Sequence, residues 1–264
     1  MKKIKTLFTP FAKPDRSSLL IMVGIQLILF IAWWFIAAPD IIPNPIEILN
    51  AFGQLTSERD LLGELFTSAW LCVKAMFIAT AIGLVLSYSV VIPFFRPFVI
   101  YIVSQARFLT LVGFGFIILL YTHTAEEYKT SLLIFGILPY FVTGMASEVD
   151  SMEWQKYSYA RTLRMSNWQA LYHVVIRGML HRALEILRQN FAIAWMMITM
   201  VESANRENGG IGALLVDQNR FAGNFNGVFA IQFAILLMGI LIHVLIGFIS
   251  KKLFPYAYMK LNKK

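Results

Sequence analysis

Residues 228–249 read VFAIQFAILLMGILIHVLIGFI, and only Gln232 and His243 interrupt this apolar run. A helix needs about 20 mostly apolar residues to cross the hydrocarbon core of a bilayer. Five further apolar runs precede this one along the chain. They cover residues 19–38, 65–92, 97–121, 131–147 and a stretch centred on 191–201. The sequence therefore predicts an integral membrane protein with six transmembrane helices.

The composition favours helices over a membrane barrel. Charged residues make up 14% of the chain, against about 25% in an ordinary soluble domain. The apolar runs do not alternate with polar residues, as the strands of a barrel would. The first run is longer than the apolar part of a secretory signal and lacks a following A-x-A-like site. It is therefore predicted to remain as an anchor in an all-α protein.

The basic residues are distributed unevenly, and this distribution predicts the orientation. With the N-terminus inside, 17 of the 23 Lys and Arg residues fall on the cytosolic side and 4 on the outer side. This asymmetry is the positive-inside pattern. It assigns the net charge of +8 to orientation and to contact with membrane lipid, not to nucleic acid. Both termini are predicted to be cytosolic.

These observations divide the chain into three parts. Residues 1–18 form a basic cytosolic tail, and residues 251–264 form a second one. Residues 19–250 form the six-span domain. A long cytosolic loop at about 148–182 separates the fourth and fifth runs.

That loop contains the segment YSYARTLRMSNWQALYHVVIRGML, residues 157–180. Ser166 and Gln169 fit a capping box, which predicts a helix start at Ser166. Residues 154–163 also have a helical pattern, so we expect two short helices with a bend near 164–166. An apolar stripe at helical spacing follows the bend. Its members are Trp168, Leu171, Tyr172, Val175 and Met179. The pair either lies on the membrane surface or docks a cytosolic partner.

No motif in the chain supplies catalytic chemistry. The sequence has neither GxxxxGK[ST] nor HExxH, and its four histidines are scattered. We therefore expect no catalytic residue, metal site or cofactor in this chain, and no enzymatic activity of its own.

Several short segments, in order, resemble the permease subunits of ABC importers of the nitrate, taurine and aliphatic-sulfonate type. They are PNPIEIL at 43–49, Ser68, Gly83, Arg96-Pro97, Leu138-Pro139, Ala194-Trp195, Val201-Glu202, GIGAL at 210–214 and Phe254-Pro255-Tyr256. The cytosolic segment resembles the EAA loop of such permeases in Ala160, Arg161, Leu163, Ser166 and Trp168. It departs from that loop at Ser158, where an acid is usual, and at Arg164, where glycine is usual. His243 stands where an Asp is usual.

The resemblance implies a type I ABC importer permease fold with a coupling loop between helices 4 and 5. It implies that the protein lies in a bacterial cytoplasmic membrane and binds two cytosolic P-loop ATPases that carry ATP and Mg²⁺. The expected docking residues are Tyr157, Ser158, Tyr159, Ala160, Arg161, Leu163 and Arg164. The further partners are a second permease copy, in a homodimer or else a heterodimer, and an extracytoplasmic binding protein.

Intramembrane polar residues are the natural candidates for a translocation path, because they are costly to place in lipid. These candidates are Arg107, Gln105, Glu202 and Thr143, and an anionic solute would suit Arg107. The altered EAA loop leaves an alternative open. The chain would then be a permease-derived scaffold or accessory subunit that no longer couples to ATP hydrolysis.

Overall fold

The computed structural model describes residues 16–36, 43–152, 154–221 and 223–258, and all regular structure in them is helical. The α-helices are α1 Arg16–Ile36, α2 Pro45–Glu58, α3 Leu61–Ser89, α4 Leu111–Leu119, α5 Ala125–Asp150, α6 Trp154–Thr162, α7 Asn167–Ala170, α8 Leu180–Ala204, α9 Ile211–Val216 and α10 Phe225–Leu253. π-Helical turns cover Phe98–Val103, Leu171–Ile176 and Asp217–Phe221, and 3-10 turns cover Ala106–Phe108 and Pro255–Tyr258. The predicted all-α class is confirmed for these residues. Most of the predicted N-terminal tail, and residues 259–264 of the C-terminal tail, lie outside them.

Three of the described helices are long and apolar enough to cross a membrane, namely α3, α5 and α10. The number rises to four if the bent pair Phe98–Phe108 and Leu111–Leu119 is one span. The outer surfaces of these helices are apolar: Phe77, Phe116 and Phe248 are among many exposed large side chains. Water would solvate such a surface poorly, whereas lipid would cover it.

The third apolar run, predicted as one span, is broken into two helical parts in the structure. The chain bends by 99° between the π-helical and 3-10 turns and α4. Leu109 and Thr110 adopt extended backbone conformations at the break. Thr110 then caps α4, because its hydroxyl accepts a hydrogen bond from the Gly113 N–H. A capping threonine inside an apolar run therefore starts a new helix.

Helices α3 and α5 run in the same direction and pack closely. A side chain at Gly83 of α3 would lie only 2.5 Å from the ring of Phe141 on α5. The Ser87 hydroxyl donates to the Gly83 carbonyl and approaches the Val142 carbonyl at 3.3 Å. The helices are staggered: an ion pair joins Lys74, the fourteenth residue of α3, to Glu126, the second of α5. The closer contact between Gly83, the 23rd residue of α3, and Phe141, the 17th of α5, places the start of α3 about 9 Å before that of α5, at 1.5 Å per residue.

Helices α8 and α10 run antiparallel. Trp195 of α8 donates its indole N–H to the Ile235 carbonyl of α10 at 2.9 Å. Gly239 makes room for this indole, because a Cβ there would lie 2.9 Å from the Trp195 ring. The main core lies between α3, α5, α8 and α10, and α2 closes it with Ile48, Ala51 and Leu55. Helix α2 was not predicted from the sequence.

Candidate functional sites

A buried polar cluster joins α3, α5, α8 and the start of α9. At its centre lies Glu202, whose residue surface is 1% exposed. One carboxylate oxygen accepts from the Ser68 hydroxyl at 2.7 Å, and the other accepts from the Gly212 N–H at 2.9 Å. The Ser68 oxygen in turn accepts from the Ile211 N–H at 2.9 Å. Glu202 and Ser68 thus satisfy two backbone donors in the first turn of α9, which would otherwise be unpaired.

The loop before α9 is held to the same cluster. Lys129 of α5 is 3% exposed and donates to the carbonyls of Glu207 and Gly209 at 2.7 and 2.8 Å. The Glu64 carboxylate of α3 accepts from the Gly210 N–H. The group of Glu64, Ser68, Lys129, Glu202 and the 210–212 backbone is called the Glu202 cluster below. It contains two carboxylates and one ammonium group.

Two glycines allow this close contact. Gly210 has a φ of +110°, a conformation that side chains rarely adopt, and a Cβ there would lie 2.5 Å from Glu202 Oε1. A Cβ at Gly212 would overlap the Thr199 carbonyl and lie 2.9 Å from the Glu202 Cβ. The cluster therefore joins two motifs that the sequence presented separately, the Val201-Glu202 pair and the GIGAL segment. The hydrogen bonds of the cluster hold α3, α5, α8 and α9 together at one end of the helices, and in this sense the cluster is a clamp.

The four path candidates do not form one site. Glu202 lies in the buried cluster. Arg107 and Gln105 are exposed at the bend before α4, and the Arg107 guanidinium lies 5.8 Å from the centre of the Tyr140 ring. This distance suits a cation–π contact. Thr143 lies one turn beyond Tyr140 on α5, and its hydroxyl donates to the Pro139 carbonyl at 2.7 Å.

The predicted bend and capping box of the 157–180 segment are confirmed. The Ser166 hydroxyl accepts from the Gln169 N–H, and the Gln169 side chain accepts from the Ser166 N–H. The predicted apolar stripe is not a single buried face. Trp168 and Tyr172 are exposed and Val175 is buried, because the chain becomes π-helical after Ala170 and the spacing changes.

Helix α6 ends in a Schellman turn. The Met165 N–H donates to the Ala160 carbonyl, and the Arg164 N–H donates to the Arg161 carbonyl. Arg164 adopts a φ of +59°, the left-handed conformation that glycine usually provides at this position. Arg161 bridges the bend, because its guanidinium donates to the Met165 carbonyl and to Asn167 Oδ1 at 3.2 and 2.9 Å. The bend is thus formed without the glycine.

The expected docking residues divide into an inward and an outward group. Ala160 is buried, and the Tyr157 hydroxyl donates to Asn167 Oδ1 at 3.2 Å. Ser158 is exposed, as are Tyr159 at 68% and Leu163 at 54%. Tyr159 and Leu163 lie one turn apart and therefore present an aromatic and an aliphatic side chain on one face. We call Ser158, Tyr159 and Leu163 the α6 face.

Replacing Arg164 with glycine is expected to stabilise the protein by about 1 kcal/mol, because the left-handed conformation strains any residue with a Cβ. Unfolding in mixed micelles by a denaturing detergent measures this change. Arg177→Gly is the control: it removes a guanidinium from a nearby residue in the α-helical conformation, and it should not stabilise the protein. A loss of stability in the Arg164→Gly protein would contradict the assignment of strain at this position.

Two clamp residues were not predicted: Glu64 precedes the second apolar run and Lys129 lies between the third and fourth, so the predicted topology placed both in outer loops. A contact between Arg188 of α8 and His243 of α10 was also not predicted. Within the described ranges, no group of three or more His, Cys, Asp or Glu side chains could hold a metal ion. Comparison with models of protein families and with curated proteins finds no match for this chain.

Proposed function

We propose that this chain is the transmembrane permease subunit of an ATP-driven importer in a bacterial cytoplasmic membrane. In this proposal it crosses the bilayer six times, with both termini in the cytosol. α1 and α8 then complete the spans provided by α3, the bent pair, α5 and α10. ATP is hydrolysed on a separate P-loop ATPase, which is in line with the absence of a P-loop motif from this sequence.

The observation that carries the proposal is the α6 face. This short helix lies between two long ones, ends in a Schellman turn, and is followed at once by the capping box that starts α7. Exposed aromatic and aliphatic side chains on such a rigid element are typical of a protein interface. Its small buried residue, Ala160, lets the helix lie close to the protein while Tyr159 and Leu163 point away.

The proposed mechanism is mechanical. Two ATPases bind the α6 faces of two permease subunits and draw them together when they close on ATP. Two permease subunits are needed, because one set of six helices cannot enclose a path alone. We favour a homodimer over a heterodimer. The movement passes through α5 to the Glu202 cluster, which fixes the opposite ends of the same helices. A ligand biases such a transition only by binding its two states differently. An extracytoplasmic binding protein would deliver the solute.

The bend before α4 is the proposed contact for a small anion. Its positive charge is Arg107, which Tyr140 supports from α5. Replacing Arg107 with glutamine should lower uptake of the anion at least tenfold, equivalent to about 1.4 kcal/mol, with assembly unchanged. The measurement is uptake into vesicles that contain the whole transporter. Arg220→Gln, which removes the same charge from an exposed turn, is the control. Unchanged uptake in the Arg107 variant would exclude Arg107 from the path.

The proposal is tested by purifying the tagged protein in mild detergent from its native membrane and identifying what accompanies it by mass spectrometry. A P-loop ATPase at equal stoichiometry is the expected result. The alternative function is a permease-derived scaffold, which the loss of the EAA acid at Ser158 favours. Other membrane subunits without any ATPase would support the scaffold and end the importer proposal.

A further inference from the structure

A cationic pair lies between α8 and α10. Arg188 of α8 approaches Nε2 of His243 through Nε at 3.1 Å and through Nη2 at 2.9 Å. A guanidinium group has only donors, so the imidazole nitrogen must be the acceptor. His243 is therefore neutral, with its proton on Nδ1, and the pair carries one positive charge.

This charge has no counter-ion in the described part of the chain. No carboxylate there forms an ion pair with Arg188. The nearest acid along α8, Glu185, binds Arg182 at 3.2 Å instead. The single lone pair of the histidine nitrogen leaves most of the five guanidinium N–H donors of Arg188 without an acceptor. An arginine between apolar helices is costly in lipid, so an external anion would stabilise it.

The pair lies near one boundary of the membrane. His243 is eight residues before Lys251, which with Lys252 forms the basic last turn of α10. Eight residues correspond to about 12 Å along the helix. Gly247, one turn from His243, makes space for the guanidinium, because a Cβ there would lie 3.1 Å from Arg188 Cζ. This depth is within reach of a lipid phosphate, and basic pockets between spans at this level bind anionic headgroups.

An apolar groove begins at His243 and follows α8 and α10 towards Thr199 and Gln232. Its volume is about 460 Å³, and Trp195, Leu236 and Ile240 are among its lining residues. Along α10 it extends from Gln232 to His243, a rise of 11 steps or about 16 Å. This length is about half of the 30 Å hydrocarbon core, the depth of one leaflet. Its rim is apolar and open, with Met196 and Ile240 exposed.

We propose that this groove binds one anionic phospholipid. Its phosphate pairs with Arg188, and one acyl chain lies along the groove towards Thr199. The unbalanced positive charge at one end, and the absence of carboxylates from the lining, complement such a molecule. This site is separate from the α6 face and from Arg107, and it requires neither ATP nor a second subunit.

The test uses the full-length protein in mild detergent, mixed with equal amounts of phosphatidylglycerol and phosphatidylcholine. Native mass spectrometry then counts the lipids retained per chain. We expect about one phosphatidylglycerol per chain to be retained in preference to phosphatidylcholine, by a factor of at least about ten, because its net negative charge pairs with Arg188. Arg188→Gln should reduce that preference at least tenfold. Arg220→Gln, with the same loss of charge elsewhere, should leave it unchanged.

Two further variants test the headgroup and the chain separately. His243→Asp supplies Arg188 with an internal counter-ion and should reduce the preference for phosphatidylglycerol while Arg188 is retained. Ala192→Trp, on the exposed rim of the groove, should reduce retention of both lipids by filling the space for the chain. Thermal unfolding confirms that each variant is folded.

Three results would overturn the proposal. The first is equal retention of the two lipids by the unaltered protein, and the second is an unchanged preference in Arg188→Gln. The third is nearly complete disulfide formation between two copies that carry Ile240→Cys and Cys72→Ala in native membranes. That result would make the groove an interface between subunits, closed to lipid.

Discussion

Replacing Glu202 with alanine is expected to lower the free energy of unfolding by about 3–5 kcal/mol. The carboxylate accepts hydrogen bonds from Ser68 and from the Gly212 N–H in a fully buried site. Its removal leaves a cavity and a buried backbone donor without an acceptor, and each of these effects costs about 1–3 kcal/mol. The measurement is unfolding of the detergent-solubilised protein by a denaturing detergent.

Two matched variants make this result specific. Glu202→Gln should cost only about 1 kcal/mol, because the amide oxygen can still accept from Gly212 and the amide N–H₂ can donate to the Ser68 oxygen. Glu58→Ala, at the exposed end of α2, should change stability by no more than about 0.5 kcal/mol. If alanine at 202 were tolerated as well as glutamine, the cluster would not be a clamp.

Replacing Tyr159 with aspartate is expected to weaken binding of the ATPase by a factor on the order of 100. Large exposed aromatic residues supply about 2–4 kcal/mol at the centre of protein interfaces, and a carboxylate there would also be desolvated. The measurement is the amount of P-loop ATPase that co-purifies with the tagged protein. This expectation depends on the proposed importer function.

The fold of the Tyr159→Asp protein should be unaffected, because the side chain is 68% exposed. Tyr256→Asp is the matched control. Tyr256 is 55% exposed and lies in the turn after α10, outside the α6 face. Recovery of the ATPase at the level of the unaltered protein with Tyr159→Asp would show that α6 is not the docking helix. Loss of the ATPase with both variants would indicate a wider interface.

Features that depend on residues close together in the sequence were predictable. The Ser166–Gln169 capping box and the bend before it were predicted, because a cap uses residues three apart. Within the described residues the apolar runs lie mostly in helices, because the backbone in lipid must satisfy its own hydrogen bonds. The break at Thr110 was missed, because one capping hydroxyl among apolar residues gives a weak signal.

The Glu202 cluster could not be predicted in the same way. Ser68 and Glu202 are 134 positions apart, and the sequence contains no pattern that pairs them. Lys129 was assigned to an outer loop because it lies between the third and fourth apolar runs, whereas the structure buries it against backbone carbonyls. The Arg188–His243 contact was missed because it depends on the antiparallel register of α8 and α10.

The close packing of α3 and α5 joins the two helices into one rigid strut, held together by Gly83, Phe141 and Ser87. At one end both helices contribute to the Glu202 cluster, through Glu64 of α3 and Lys129 of α5. At the other end α5 leads towards α6. A tilt of the strut about its centre would move these two ends in opposite directions. In the proposed importer, a small inward push on α6 would therefore displace the Glu202 cluster.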